Sequence, residues 1–221
     1  MHAVTMHGQQ QPISVGKIVC VARNYAEHAR ELGNPVPEKA VLFIKPASSI
    51  LRDGGQVIVP TYSRDCHHEI ELAVLIGRTG RQIVEADALD FVAGYAVALD
   101  LTLRDVQSEL KAKGLPWEIA KAFDTSCPLS AFVPAEQVAD PQQLRLHLTV
   151  NDELRQDGTT ADMLRPVARL ISEASAYFTL EAGDIPPHRH ALRRWPDPER
   201  RPSGGNDRGS GNLEGRCHVG A

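Results

Sequence analysis

The chain has no apolar run near the roughly 20 residues that a membrane-crossing helix requires, which argues against a membrane partner. Aromatic residues make up only 5% of it and the formal charge is -4, so the basic, aromatic-studded surface of a nucleic-acid binder is missing too. There are four cysteines, Cys20, Cys66, Cys127 and Cys217, scattered and without a C-x-x-C pair. That usage fits a reduced, cytoplasmic protein rather than a disulfide framework. Met1–Lys17 is rich in Gln and His and has no continuous apolar core, so it does not read as a secretory signal. P-loop, G-x-G-x-x-G and G-x-S-x-G motifs are all absent.

What is present is a chain of 221 residues, 42% hydrophobic, enough for one sizeable core. Lys17–Ala22 and Val41–Ile44 read as strands, and so does Val57–Val59, closed by Pro60. Tyr25–Leu32 is rich in helix formers, with Gly33 as a stop. In Glu69–Ile76 the residues Ile70, Leu72, Val74 and Ile76 share one strand face, while Glu69, Glu71, Ala73 and Leu75 share the other. Val92–Asp100 is a second apolar strand, and it ends in an acid. Thr102–Ala112 and Asp162–Ala174 carry helical periodicity, and Leu144–Val150 leads through Asn151-Asp152 into a hairpin. Leu180–Ile185 starts another strand that Pro186-Pro187 should end. Strands outnumber helices in irregular order, so the expected class is α+β and β-rich, with a mostly antiparallel sheet.

Glu69 and Glu71 stand two apart on one strand face, roughly 6–7 Å along the chain. Buried together they need a cation, and with Asp100 they offer the oxygen-rich set that suits Mg²⁺ or Mn²⁺. A solvated strand face is the competing reading of Glu-x-Glu alone, but the apolar flanks and the isolated Asp100 favour a metal site. His28 and Glu31 lie three apart on the expected helix. They form either a carboxylate-oriented general base or an exposed surface pair. Lys121, in Ala120-Lys121-Ala122-Phe123-Asp124, either faces an anion in a buried site or snorkels to the surface. His67 and His68 adjoin Glu69, yet no second His/Cys cluster has zinc spacing, so they are assigned a structural role.

Several segments then fall into one order. Lys17-Ile-Val-Cys-Val-Ala-Arg-Asn-Tyr-Ala-Glu-His28 is followed by His68-Glu69-Ile-Glu71-Leu-Ala-Val, and Gly94-Tyr95 leads to Asp100-Leu-Thr-Leu-Arg104-Asp. Lys121-Ala-Phe-Asp124, Val150-Asn-Asp-Glu-Leu-Arg-Gln156 and Leu180-Glu-Ala-Gly-Asp-Ile185 complete the set. Over residues 17–185 this resembles the fumarylacetoacetate hydrolase family, most of all its small acylpyruvate hydrolases. The resemblance implies a mixed β-roll or sandwich with a few peripheral helices, assembled as a homodimer. It implies Mg²⁺ or Mn²⁺ on Glu69, Glu71 and Asp100, a catalytic His28–Glu31 pair on a mobile lid, an active-site Lys121, and Arg104 and Gln107 near substrate. The implied reaction is metal-dependent hydrolysis of a 3-acylpyruvate to pyruvate and a carboxylic acid. Decarboxylation of oxaloacetate or a muconate-type acid, or isomerisation of such a diacid, are alternatives on the same 2-keto acid site.

Two departures stand out. Ala22 occupies a position where a glycine is usual in the resemblance, and the Thr-Gly-Thr-Pro loop expected after Ile185 is absent. Residues 186–221 instead hold seven Arg against four acids, a net +3 that leaves -7 on residues 1–185, together with five Pro and six Gly. The expected organisation is an N-terminal extension at 1–16, a catalytic domain at 17–185 whose C-terminal part is incomplete, and an aberrant, disordered tail at 186–221. That tail reads as frame-shifted, and a catalytically impaired metal-binding remnant is the corresponding alternative function.

Overall fold

The computed structural model describes residues 2–22, 24 and 39–189. Its fold is α+β and strand-rich. The central sheet has six strands. β7 (Ile70–Ile76) and β8 (Val92–Leu99) form its antiparallel middle, from Ile70 opposite Leu99 to Ile76 opposite Val92. β10 (Cys127–Leu129) extends the sheet beyond β8, and β5 (Ile50–Arg52) joins β10 as a parallel edge. β11 (Val133–Pro134) also pairs with β8. Outside this sheet β3 (Lys17–Ala22) pairs with β4 (Val41–Pro46), and β12 (Arg145–Val150) pairs with β13 (Glu153–Thr159). Asn151 and Asp152 both take positive φ, 52° and 62°, as the tight turn between β12 and β13 demands.

Both faces of β7 are buried, each in its own core. Ile70, Leu72, Val74 and Ile76 pack with Leu146, Leu148, Leu170 and Ile171, the last two from helix α3 (Val167–Tyr177). Ala73 and Leu75 pack with Ile18, Cys20, Ala96, Cys127 and Phe132. The alternation read from the sequence is therefore correct, but neither side meets water. A smaller cluster of Leu101, Leu103, Ala120 and Phe123 seats the short helices α1 (Arg104–Ala112) and α2 (Glu118–Lys121). Among the described residues no helix is long and apolar enough to cross a membrane.

Five expectations need correction or completion. Val57–Val59 forms no strand, and Ile58 is held instead by its N–H donating to Thr125 Oγ1 at 2.9 Å. The helix expected over Asp162–Ala174 begins only at Val167, because Thr160–Asp162 forms a separate 3₁₀ turn. Residues 2–16, expected as an N-terminal extension, pack onto the domain. β1 (Ala3–Val4) and β2 (Ile13–Ser14) pair, and Val4, Met6 and Val15 are buried in the second core. Leu180–Ile185 is a turn rather than a strand, with Leu180 bridging Gly80 and Ile185 bridging Ile18. Finally, the prolines do not stop the sheet. β14 (Pro187–Arg189) pairs with β7, and a proline is tolerated there because β14 is an edge strand. The Tyr25–Leu32 helix and residues 190–221 lie outside the described residues.

The turn before β14 depends on Gly183. Its φ is +94°, its N–H donates to Ile76 O at 2.8 Å, and a Cβ there would sit 2.2 Å from Ser14 O. Gly183→Ala should therefore cost about 2 kcal/mol or more, from strain plus backbone clash. That corresponds to a fall of roughly 4–8 °C in thermal midpoint. Gly8→Ala, also at positive φ (+77°) but with no atom within 4 Å, should cost less. Thermal unfolding of both variants checks the ranking.

Candidate metal centre

The strand register assembles the site. Because Ile70 lies opposite Leu99, the flanking Glu69 and Asp100 face each other, with Asp100 N–H donating to Glu69 O at 2.8 Å. Glu71, two residues on, returns to the same face of β7. Carboxylate oxygens of Glu69, Glu71 and Asp100 lie within 4.8 Å of one another, and the three residues are 4%, 5% and 2% exposed. Among the described residues this is the only such cluster of His, Cys, Asp or Glu. The solvated-face reading of Glu-x-Glu is thus excluded.

Three cations surround the triad. Lys121, 1% exposed, ends α2 and reaches Glu69 Oε2 at 3.1 Å and Asp100 Oδ2, so it does not snorkel. Its ammonium also lies 5.4 Å from the Phe43 ring centroid. Arg104, first residue of α1, contacts Glu69 Oε1 and donates from Nη1 to Gln107 Oε1 at 2.8 Å. The structure therefore brings Arg104 and Gln107 together beside the triad. His28 and Glu31 lie outside the described residues.

The third cation, Lys45, escaped sequence reasoning. It sits in β4, is 1% exposed, and lies 3.0 Å from Asp100 Oδ1. Its ammonium also donates to Ser126 O and Ser126 Oγ, both at 3.0 Å, and to Lys121 O. The available signal was a lysine inside the apolar run Val41-Leu42-Phe43-Ile44-Lys45, where a charge demands a partner. Burial pulls the Lys45 ammonium down, but the Asp100 carboxylate beside it outweighs that and holds it above its ordinary value. It is charged across the physiological range.

The donor set suits a hard divalent cation. Three carboxylates converge, and the two thiols nearby are poor alternatives. Burial raises Cys127 to about 12 and Cys20 well above its ordinary value, with Asp100 and Glu71 pushing the same way and Lys45 opposing them. Neither thiol joins the cluster of Glu69, Glu71 and Asp100. Neither histidine joins the cluster of Glu69, Glu71 and Asp100, and His67 pairs with Asp65 at 2.8 Å, so the donor set is all carboxylate. Glu69, Glu71 and Asp100 could thus hold Mg²⁺ or Mn²⁺, leaving coordination positions for a substrate. Size does not locate this site: a cleft of about 750 Å³, lined by Ala3, Arg52, Asp53 and Leu129, lies elsewhere.

Comparison with known proteins agrees with the geometry. Residues 17–185 match the family model described as fumarylacetoacetate (FAA) hydrolase C-terminal. Over 168 residues the chain is 54% identical to the oxaloacetate tautomerase FAHD1, mitochondrial, of Bos taurus, covering 76% of each protein. Over 172 residues it is 54% identical to the oxaloacetate tautomerase YcgM of Escherichia coli (strain K12), covering 77% of this chain and 78% of that protein. The crystal structure of fumarylpyruvate hydrolase from Pseudomonas aeruginosa in complex with Mn²⁺ and pyruvate is 38% identical, with a TM-score of 0.78 over 87% of each chain. By sequence and by fold, the chain belongs to the fumarylacetoacetate hydrolase family.

Proposed function

We infer that the protein acts on 2-keto dicarboxylates through their enol forms, and that its principal reaction is keto–enol interconversion of oxaloacetate. Charge balance carries this reading. Among the described residues Lys45, Lys121 and Arg104 already set positive charge against Glu69 and Asp100. A divalent cation would add two positive charges, which a dianionic substrate offsets in full and a monoanion only by half. The relatives at 54% identity, an animal and a bacterial protein, are both named oxaloacetate tautomerases. Hydrolysis of a dianionic acylpyruvate such as fumarylpyruvate is the second reading, supported by the hydrolase from P. aeruginosa at 38% identity.

A cation on the triad would supply Lewis acidity and a template for the keto acid. The chain's own groups do the rest. Arg104, braced by Gln107, and Lys121 supply positive charge where negative charge develops on the enolate. His28, oriented by Glu31, takes the proton from C3, and the C2 oxygen is protonated in turn. In hydrolysis the same base would take a proton from water attacking the distal carbonyl, and pyruvate would leave as its enolate. A homodimer belongs to the same reading.

Residues 186–221 are read out of frame. Pro186 to Trp195 can be written CCT CCT CAC CGG CAC GCC CTC CGG CGT TGG. Without the first base this becomes CTC CTC ACC GGC ACG CCC TCC GGC GTT GG, or Leu-Leu-Thr-Gly-Thr-Pro-Ser-Gly-Val-Gly. It contains the Thr-Gly-Thr-Pro loop expected at this place, and third positions were chosen freely. The family match ends at residue 185, which supports the same reading. One lost hydrogen-bond donor at a developing oxyanion costs about 10²–10³ in rate. The chain as written should therefore be poorly active, and removing one base before codon 186 should restore activity. Sequencing the gene tests this, and a displaced frame without Thr-Gly-Thr-Pro ends the idea.

Two further measurements test the function. Glu69→Gln and Asp100→Asn should each weaken Mg²⁺ and Mn²⁺ binding sharply, because the site's charge count sets its affinity. Calorimetry showing wild-type affinity in both would remove the metal centre. With the restored frame, stopped-flow absorbance should show faster loss of the oxaloacetate enol, and fumarylpyruvate should outcompete acetylpyruvate, a monoanion. His28→Ala should lower kcat by about 10²–10⁴ while metal affinity stays unchanged. Equal turnover of dianions and monoanions would defeat the charge argument, and wild-type turnover in His28→Ala would defeat the base.

A further inference from the structure

The two buried lysines of the centre are held in different ways. Both are 1% exposed, and both touch Asp100. Lys45 also donates to Lys121 O, Ser126 O and Ser126 Oγ. Of its four oxygen partners, only Asp100 belongs to the triad. Among the described residues Lys121 has no such independent holding. The polar contacts of its ammonium are Glu69 Oε2 at 3.1 Å and Asp100 Oδ2, both oxygens of the triad.

A divalent cation entering among these carboxylates competes for the lone pairs that Lys121 occupies, and it repels the ammonium at close range. Lys45 loses at most one of its four partners in that event, whereas Lys121 stands to lose both. Lysine suits the exchangeable role, being a compact charge on a stem with four rotatable bonds. The Phe43 ring, already 5.4 Å from Lys121 Nζ, offers a cation a favourable surface next to the triad.

We propose that the Lys121 ammonium is the resident counter-ion of the carboxylate triad, displaced when a divalent cation binds, while Lys45 stays in place and keeps the Lys121–Ser126 turn fixed. This rests on the metal-centre reading and adds an order of events to it. The charge that meets the substrate is released from the triad by metal loading, so the empty centre does not offer it. Metal and anionic substrate then bind with positive coupling, and that coupling is reciprocal.

The test uses the full chain and needs no turnover. In protein labelled with ¹⁵N-lysine, two protected ammonium signals are expected without metal, assigned by Lys121→Met and Lys45→Met. Saturating Mg²⁺ should move the Lys121 signal or expose it to solvent exchange, and leave the Lys45 signal in place. In calorimetry Lys121→Met should bind Mg²⁺ on the order of tenfold tighter or more, since a competing unit charge at contact distance is gone. Should Lys121→Met fail to fold, Lys121→Gln and the wild-type titration still decide. Mg²⁺ binding that leaves the Lys121 signal unchanged, or equal Mg²⁺ affinity in wild type and Lys121→Met, overturns the displacement but not the metal centre. Absence of Mg²⁺ binding in wild type overturns both.

Discussion

Three carboxylates packed within 4.8 Å of one another and almost closed to water are the constraint from which the rest of this structure follows. Such a group is unstable without compensating charge, because burial and mutual repulsion both oppose its ionised form. The fold answers with Lys45 from β4, Lys121 from α2 and Arg104 from α1. Each arrives from a different element, so the charge balance also knits those elements to the central strands. α1 and α2 are seated both by these ion pairs and by the apolar cluster of Leu101, Leu103, Ala120 and Phe123, against which Val106 and Leu110 pack.

The sheet supplies the rigidity. β7 is buried on both faces between two apolar clusters, and its antiparallel partner β8 sets which residue faces Glu69. A slip of one residue would turn Glu69 and Glu71 into the aliphatic cluster of Leu146 and Ile171, at a cost no cation could offset. Register, burial and chemistry are thus one constraint seen at three scales. A fixed register of this kind holds the three carboxylates in one arrangement whatever charge they meet.

Much of this was legible in the residues. Alternation in Glu69–Ile76 announced the strand, its two faces and the shared side of Glu69 and Glu71, and the acid ending the next apolar run supplied Asp100. What stayed hidden depends on contacts distant in sequence. Lys45 reads as a lone charge in a strand until Asp100 and Ser126 are brought to it. Leu180–Ile185 has the composition of a strand, yet its ends are claimed by Gly80 and Ile18 and Gly183 bends the chain between them. Val57–Val59 is apolar, but its Ile58 N–H is taken by the Thr125 hydroxyl rather than by a strand, so it remains a loop. Residues 2–16 carried too few apolar positions to signal that Val4 and Met6 complete a core formed mainly by β3, β7 and β8. In each case local propensity was a weak prior that tertiary contact overrode.

Enol chemistry and C–C hydrolysis make the same demand on this centre: positive charge beside a keto acid whose electrons move onto oxygen. They differ in what the base meets, a carbon-bound proton in one case and a water in the other. On the proposed reading the residues that balance the triad set the substrate's charge, and the group facing the reacting carbon sets the reaction. Lys45, Lys121 and Arg104 belong to the first set, and each can be recognised by its contact with Glu69 or Asp100. On the reading proposed above, His28 and Glu31 belong to the second. One carboxylate centre can on this logic serve tautomerases and hydrolases alike, because the buried charges that are costly to rearrange are common to both.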